Sequence, residues 1–174
     1  MRAIANLWSN LNDAQQAQIL LILQDTFTVS PLKLAESMRE HTTVLRFEET
    51  SPETHPNQPT TQPIHLSHPS HSIAPLIKAV ACLLEFPQGL GRYDQYDAFL
   101  YNVTVIPTYR GLGYGGMLLQ RVLDWCHRHS KRRIWLCVKP ENTVALQMYQ
   151  RRGWIYQRTL PNGEWEMLKT EKFP

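Results

Sequence analysis

Between Leu100 and Cys126 the chain passes from a β-branched run through a glycine-rich turn into a helical repeat, and this order limits its possible folds more than any other segment. Leu100-Tyr-Asn-Val-Thr-Val-Ile106 has the β-branched and aromatic content of a strand and stops at Pro107. After the turn, Leu118, Leu119, Val122, Leu123 and Cys126 recur at the helical period, with Gln120, Arg121, Asp124 and His127 opposite them. Gly111, Gly113, Gly115 and Gly116 lie between the two patterns, led by Arg110. Such a turn lets successive backbone N–H groups converge on one anion, and the following helix adds its unpaired N–H groups and the positive end of its dipole. Arg110 contributes a forked donor set suited to phosphate oxygens. A strand-to-helix connection without a ligand would use the same glycines, but it would give Arg110 no role. The turn therefore reads as a phosphate holder.

Two familiar phosphate loops fit poorly. The P-loop needs Gly-Lys-Ser/Thr after its glycines, and neither the lysine nor the hydroxyl stands there. Gly111, Gly113 and Gly116 match the dinucleotide pattern G-x-G-x-x-G only loosely. That pattern also expects an acidic residue after a second strand, whereas Arg133-Ile-Trp-Leu-Cys-Val138 is followed by Lys139 and Pro140.

Val105-Ile-Pro107 followed by Arg110-Gly-Leu-Gly-Tyr-Gly115 resembles the acyl-CoA signature R/Q-x-x-G-x-G/A of the GNAT superfamily of N-acetyltransferases. A second block, Asn142-Thr-Val-Ala145, Tyr149 and Gly153-Trp154, is similar to that family's N-x-x-A-x-x-x-Y-x-x-x-G-F, with Trp154 in the aromatic position. The resemblance is specific from about Leu100 to Trp154 and implies an acetyl-CoA-dependent N-acetyltransferase acting on a primary amine by direct attack. It implies a mixed, mostly antiparallel sheet with helices on both faces and a central parallel pair of strands. That pair splays between Val103–Val105 and Leu136–Val138 to admit the pantetheine arm.

The resemblance also distributes roles. Val103, Val105, Arg110, Gly111, Gly113, Tyr114, Gly115, Gly116 and Asn142 fall on cofactor-binding positions, the N–H groups near Val103 facing the thioester carbonyl. Asn142 stands equally where a helix N-cap is needed, and the two roles are compatible. Tyr149 falls on the general-acid position; an ordinary phenol, with a pKa of about 10, stays protonated at neutral pH and can donate to sulfur. By itself the apolar stripe of Val144, Ala145, Met148 and Tyr149 would read as helix packing. No carboxylate stands where the family often places its base: the first strand offers Tyr101 and Asn102, and the second offers Cys137. Glu85, Asp94 and Asp97, placed toward the presumed substrate end, are the candidate bases or substrate contacts, with loop solvation as their plain alternative; a third course is reaction of a small neutral-amine population without a base. Cys137 reads better as packing than as a nucleophile, because no histidine partner accompanies it.

Composition bounds the rest. A chain of 174 residues with 43% hydrophobic content suits one domain, taken as residues 1–174, with an acyl-CoA core over 100–154. Three cysteines without a C-x-x-C pair indicate neither a disulfide framework nor a zinc site, and no leader or membrane span is apparent, so a cytoplasmic protein is expected. The net charge of +3 is concentrated around Arg121–Arg133. A nucleic-acid patch is a minor reading of that cluster, since no aromatic interleaving accompanies it. A non-catalytic CoA-binding or regulatory module is the other alternative, suggested by the missing base. Monomer and homodimer both stay open, as does the identity of the amine.

Along the chain, helices are expected from Asn12-Asp13 and from Ser30-Pro31, then a strand at Thr42–Phe47. Residues 52–75, rich in proline, read as an extended loop insertion; His65, His68 and His71 within it lack the convergence a metal site needs, so no metal is expected. Ile77–Phe86 resumes strand character, and Pro161-Asn162-Gly163 marks a terminal hairpin. The order of elements is that of an α/β or α+β layer with a mixed sheet. Met1–Trp8 is too weakly patterned to mark a distinct first strand.

Overall fold

Seven strands hydrogen-bond into one sheet in the order β1-β2-β3-β4-β5-β7-β6, antiparallel throughout except for the central parallel pair β4–β5. The computed structural model describes residues 2–27, 42–49 and 76–171. In chain order these form β1 (Arg2–Leu7), α1 (Asp13–Phe27), β2 (Thr42–Glu49), β3 (Leu76–Glu85), β4 (Asp97–Val105), α2 (Tyr114–Arg128), β5 (Arg133–Val138), α3 (Thr143–Gln150), β6 (Ile155–Thr159) and β7 (Trp165–Thr170). The helix expected from Ser30, the 52–75 insertion and the three histidines lie outside the described residues.

The pattern over Met1–Trp8 is weak because β1 is an edge strand. It pairs with β2 from Arg2↔Glu48 to Leu7↔Thr43, and Ala5 and Leu7 are exposed. Its exposed face carries the apolar Ala5 and Leu7 and its half-buried face pairs Ile4 with the polar Asn6, so the alternation of a one-sided strand is blurred. Pairing and a hydrogen bond from Arg46 Nη1 to Asn6 Oδ1 (2.9 Å) hold it, so the expectation of no distinct first strand is corrected.

Helices cover both faces of the sheet. On one face Ile19 and Leu23 of α1 pack with Val44, Ile77, Val80 and Cys82. On the other, Leu118, Leu119, Val122 and Cys126 of α2, with Leu146 and Tyr149 of α3, pack on Leu45, Ala79, Leu83, Leu100, Ile134 and Leu136. The central strands are thus buried on both sides, as their continuous apolar runs require. A reciprocal cap starts α1: Gln15 N donates to Asn12 Oδ1 (2.9 Å), and Asn12 N donates to Gln15 Oε1 (3.2 Å).

The parallel pair is short. β4 and β5 are in register from Asp97↔Arg133 to Leu100↔Leu136 and no further. Beyond that point each strand keeps its other neighbour: β4 pairs with β3 as far as Val105↔Ala79, and β5 with β7 as far as Val138↔Trp165. The two therefore part with their outer ladders intact. Irregularities at Phe47/Glu48 and Val80/Cys82 bend this part of the sheet, and Asn102, opposite the second, has φ 51°.

At the closed end, Asp97 is wholly buried and accepts from Arg133 Nε (2.6 Å), Arg133 Nη2 (2.7 Å), Trp135 Nε1 (3.1 Å) and Asp94 N (2.6 Å). Removing this carboxylate strands several donors at once. Asp97→Ala should cost about 3 kcal/mol of unfolding free energy in urea, and a loss well under 1 kcal/mol would contradict the clamp.

Candidate functional site

The open end of the β4–β5 pair leads into a cavity of about 790 Å³ between β4, the glycine turn, the start of α2 and the length of α3. Val103, Val105, Arg110, Gly111, Gly113, Tyr114, Gly115, Gly116 and Asn142 all line it. The turn shapes one wall. Gly113, at φ 85°, is the N-cap of α2 with no side-chain cap, so the first N–H groups of the helix stay available. A Cβ on Gly116 would collide with the Arg152 guanidinium, which lies across the start of α2. Arg110 is fixed by donating from Nε to Val105 O (3.0 Å), and its Nη nitrogens make no hydrogen bond among the described residues.

Arg151 and Arg152 line the groove as well, and sequence reasoning missed them. Their signal was available: they follow Asn142 at a distance that returns α3 to the turn, just before Gly153. With Arg110 they make the lining strongly cationic, and no carboxylate is among the residues that form it. Behind the turn, the buried Lys78 donates to Tyr114 Oη (3.4 Å) and stands 4.8 Å from the centre of the Tyr109 ring. A groove of this charge, beside the start of a helix, is matched to a polyanionic ligand.

Asn142 caps α3, its Oδ1 accepting from Ala145 N (3.2 Å). The expected apolar stripe is divided: Val144 is 79% exposed at the groove, Ala145 and Met148 are half-buried, and Tyr149 is buried beside Trp154 with ring centres 5.8 Å apart. Tyr149 does not itself line the cavity; Ala145 and Met148, neighbours on its helix, do. Burial pushes the Tyr149 hydroxyl pKa above the usual phenol value.

Glu85, Asp94 and Asp97 are not brought to the groove. They cluster at the closed end, and Asp97 is about 20 Å along β4 from Val103 at roughly 3.3 Å per residue. Glu85 pairs with Lys131 (3.1 Å), and Asp94 and Asp97 both pair with Arg133. The loop before β4 is similarly committed. Tyr93 stacks on Phe86 (4.6 Å), Arg132 covers Tyr96 (4.7 Å), and Arg92 reaches the buried Glu166, which also accepts from Arg158 Nε (3.0 Å). These aromatic and acidic side chains therefore serve packing and pairing.

The basic cluster after α2 is also largely engaged. Lys131 is buried on Glu85, Arg133 sits on Asp97, His129 stacks on Trp125 (3.9 Å), and Arg121 pairs with Asp124 (3.6 Å). Burial, then Glu164, raises the Cys137 thiol pKa, leaving less thiolate for nucleophilic chemistry. Among the described residues no group of His, Cys, Asp and Glu is arranged to hold a metal, and no helix is long and apolar enough to cross a membrane.

A mixed sheet whose central parallel strands part above a glycine turn defines a class of acyl-group transferases. Residues 37–154 match the model of the acetyltransferase (GNAT) family, and the chain belongs to that family, whose activity is acetyl transfer from acetyl-CoA to an amine. Over 57 residues it is 32% identical to [ribosomal protein bS18]-alanine N-acetyltransferase of Escherichia coli K12, a match spanning 33% of this chain and 38% of that relative. The crystal structure of the E. coli ribosomal-protein-S18-alanine N-acetyltransferase is similar in fold, with a TM-score of 0.61, 16% identity and coverage of 96% of this chain and 91% of that one. A GCN5-related N-acetyltransferase from Kribbella flavida has a TM-score of 0.63 at 16% identity, covering 97% of this chain and 98% of that one.

Asn142→Ala removes the cap without emptying the core. It should lower stability in urea by about 1 kcal/mol, whereas an unchanged midpoint would show that the cap carries no weight.

Proposed function

We propose that this chain, acting as a single domain, transfers an acetyl group from acetyl-CoA to a primary amine by direct attack. The observation that carries the reading is the cationic groove running from the glycine turn into the parting of β4 and β5. Its residues suit a ligand with phosphates at one end and an uncharged arm at the other. The free N–H groups at the start of α2, with Arg110, Arg151 and Arg152, would hold the phosphates. Val103, Val105, Ala145 and Met148 would flank the arm, with Asn142 at its side.

Acetyl-CoA supplies the thioester. The amine must arrive neutral; as its nitrogen bonds the carbonyl carbon, the carbon–sulfur bond breaks, the nitrogen sheds a proton and the departing sulfur gains one. Backbone N–H groups near Val103 would stabilise charge on the carbonyl oxygen. Tyr149 would protonate the sulfur, a role that suits a hydroxyl kept neutral by burial. Because Glu85, Asp94 and Asp97 are ion-paired at the closed end, the amine's own neutral fraction would react, its proton passing to water. The alanine N-acetyltransferase activity of the E. coli relative makes a protein α-amine the first acceptor to test, and a cytoplasmic location suits such a substrate.

Thiol release with a panel of peptide and small amines tests the proposal. Tyr149→Phe should lower kcat by roughly 100-fold while leaving the KM for acetyl-CoA near wild type, and an unchanged kcat removes Tyr149 from the acid role. A wild type that binds acetyl-CoA yet releases no thiol with any amine would favour a non-catalytic CoA-binding module.

The pH profile offers a separate check. With a peptide acceptor, kcat/KM should rise to the α-amine pKa of about 8 and then stay level through about pH 10, since the Tyr149 pKa is raised. An alkaline fall well below pH 10 would contradict a protonated Tyr149 as the working acid.

A further inference from the structure

The glycine turn has little of its own to hold it in shape. Arg110, Gly111, Leu112 and Gly113 are all exposed, and a Cβ added to Gly111 or Gly113 would meet nothing within 4 Å. Both glycines have positive φ, 77° and 85°, in a residue type whose backbone is free to leave such conformations. A turn that offers N–H groups to an anion must nevertheless hold them still, because every freedom given up on binding weakens affinity.

The two feet of the turn are gripped by one side chain. Tyr109 stands just before Arg110 and Tyr114 opens α2, so their rings bracket the turn and meet edge to face with centres 5.7 Å apart. Lys78 of β3 reaches both: Nζ lies 4.8 Å from the centre of the Tyr109 ring and 5.6 Å from that of Tyr114, and it donates to Tyr114 Oη (3.4 Å). The Lys78 carbonyl also accepts from Ile106 N (3.0 Å), which fixes the chain as it leaves β4. Burying an ammonium is costly, and packing alone would be served better by an apolar side chain. Lys78 does not line the groove, whereas Tyr109 and Tyr114 both do.

We propose that Lys78 is a positioning residue for the phosphate end of acetyl-CoA. It fixes both feet of the glycine turn through Tyr109 and Tyr114, so the N–H groups between them are aimed before the ligand arrives. The inference rests on the reading of the groove as an acetyl-CoA site and concerns only its phosphate end. The thioester end, at the parting of β4 and β5, does not depend on it.

The test compares acetyl-CoA with S-acetylpantetheine, which has the same thioester and arm but no phosphate. Acetyl-CoA binding by calorimetry and kcat/KM for each donor by thiol release are measured for wild type, Lys78→Met and Tyr114→Phe. Methionine keeps an unbranched apolar stem without the charge, and phenylalanine keeps the ring without the hydroxyl. Lys78→Met should weaken acetyl-CoA binding about tenfold, and Tyr114→Phe about threefold, while kcat/KM for acetylpantetheine stays within about twofold of wild type. Equal losses with both donors would show a merely structural role and overturn the proposal, as would unchanged acetyl-CoA affinity. Should Lys78→Met fail to fold, the same donor comparison on Tyr114→Phe decides. If wild type binds acetyl-CoA yet releases no thiol with any amine, the transfer reading fails, and a tenfold loss of binding in Lys78→Met still supports the positioning role. Wild type that does not bind acetyl-CoA overturns both.

Discussion

The parting of β4 and β5 beyond Leu100 and Leu136 is the constraint on which the rest of the site depends. Two adjacent strands can separate inside a sheet only if their backbone groups do not go unpaired, and here each retains its outer neighbour past the fork. The closed end must hold just as firmly. Asp97 does this by gathering Arg133, Trp135 and the loop before β4 onto one buried carboxylate. Carboxylates that could pass for acid–base groups in a list of residues are thus the fastening at the foot of the fork.

Charge and shape divide the two faces of the fork. On the α2–α3 face, arginines from the turn and from the end of α3 converge on a groove whose lining contains no acid, while the start of α2 leaves its N–H groups exposed to the same space. This favours phosphates and disfavours a cationic amine there. The other face carries α1, Tyr101, Cys82 and the Asn102 bulge. Tyr149 lies in the core between Trp154 and the groove-lining part of α3, where burial keeps its proton in place.

Much of this was legible in sequence because it is local. The glycine turn, the Asn142 cap and the hairpin at Pro161-Asn162-Gly163 are each specified within a few residues, and the spacing of Asn142, Ala145 and Tyr149 follows from helical geometry. What escaped was set by distant partners. Asp97 looks like a loop carboxylate until Arg133, far along the chain, folds onto it. Met1–Trp8 looks unpatterned because an edge strand is held by its ladder more than by burial. Arg151 and Arg152 seem to be ordinary solvated helix-end charges until α3 packs beside the start of α2, and Asn102 looks like one strand residue among others until the bulge turns it.

The central claim is that the fork and the cationic groove together form one acetyl-CoA site. A crystal structure of the protein with acetyl-CoA tests it most directly. The account predicts the pyrophosphate against the turn at Gly111–Gly116 within reach of Arg110, and the thioester between Val103 and Val138. Acetyl-CoA bound elsewhere, or a thioester lying outside the gap, would contradict it.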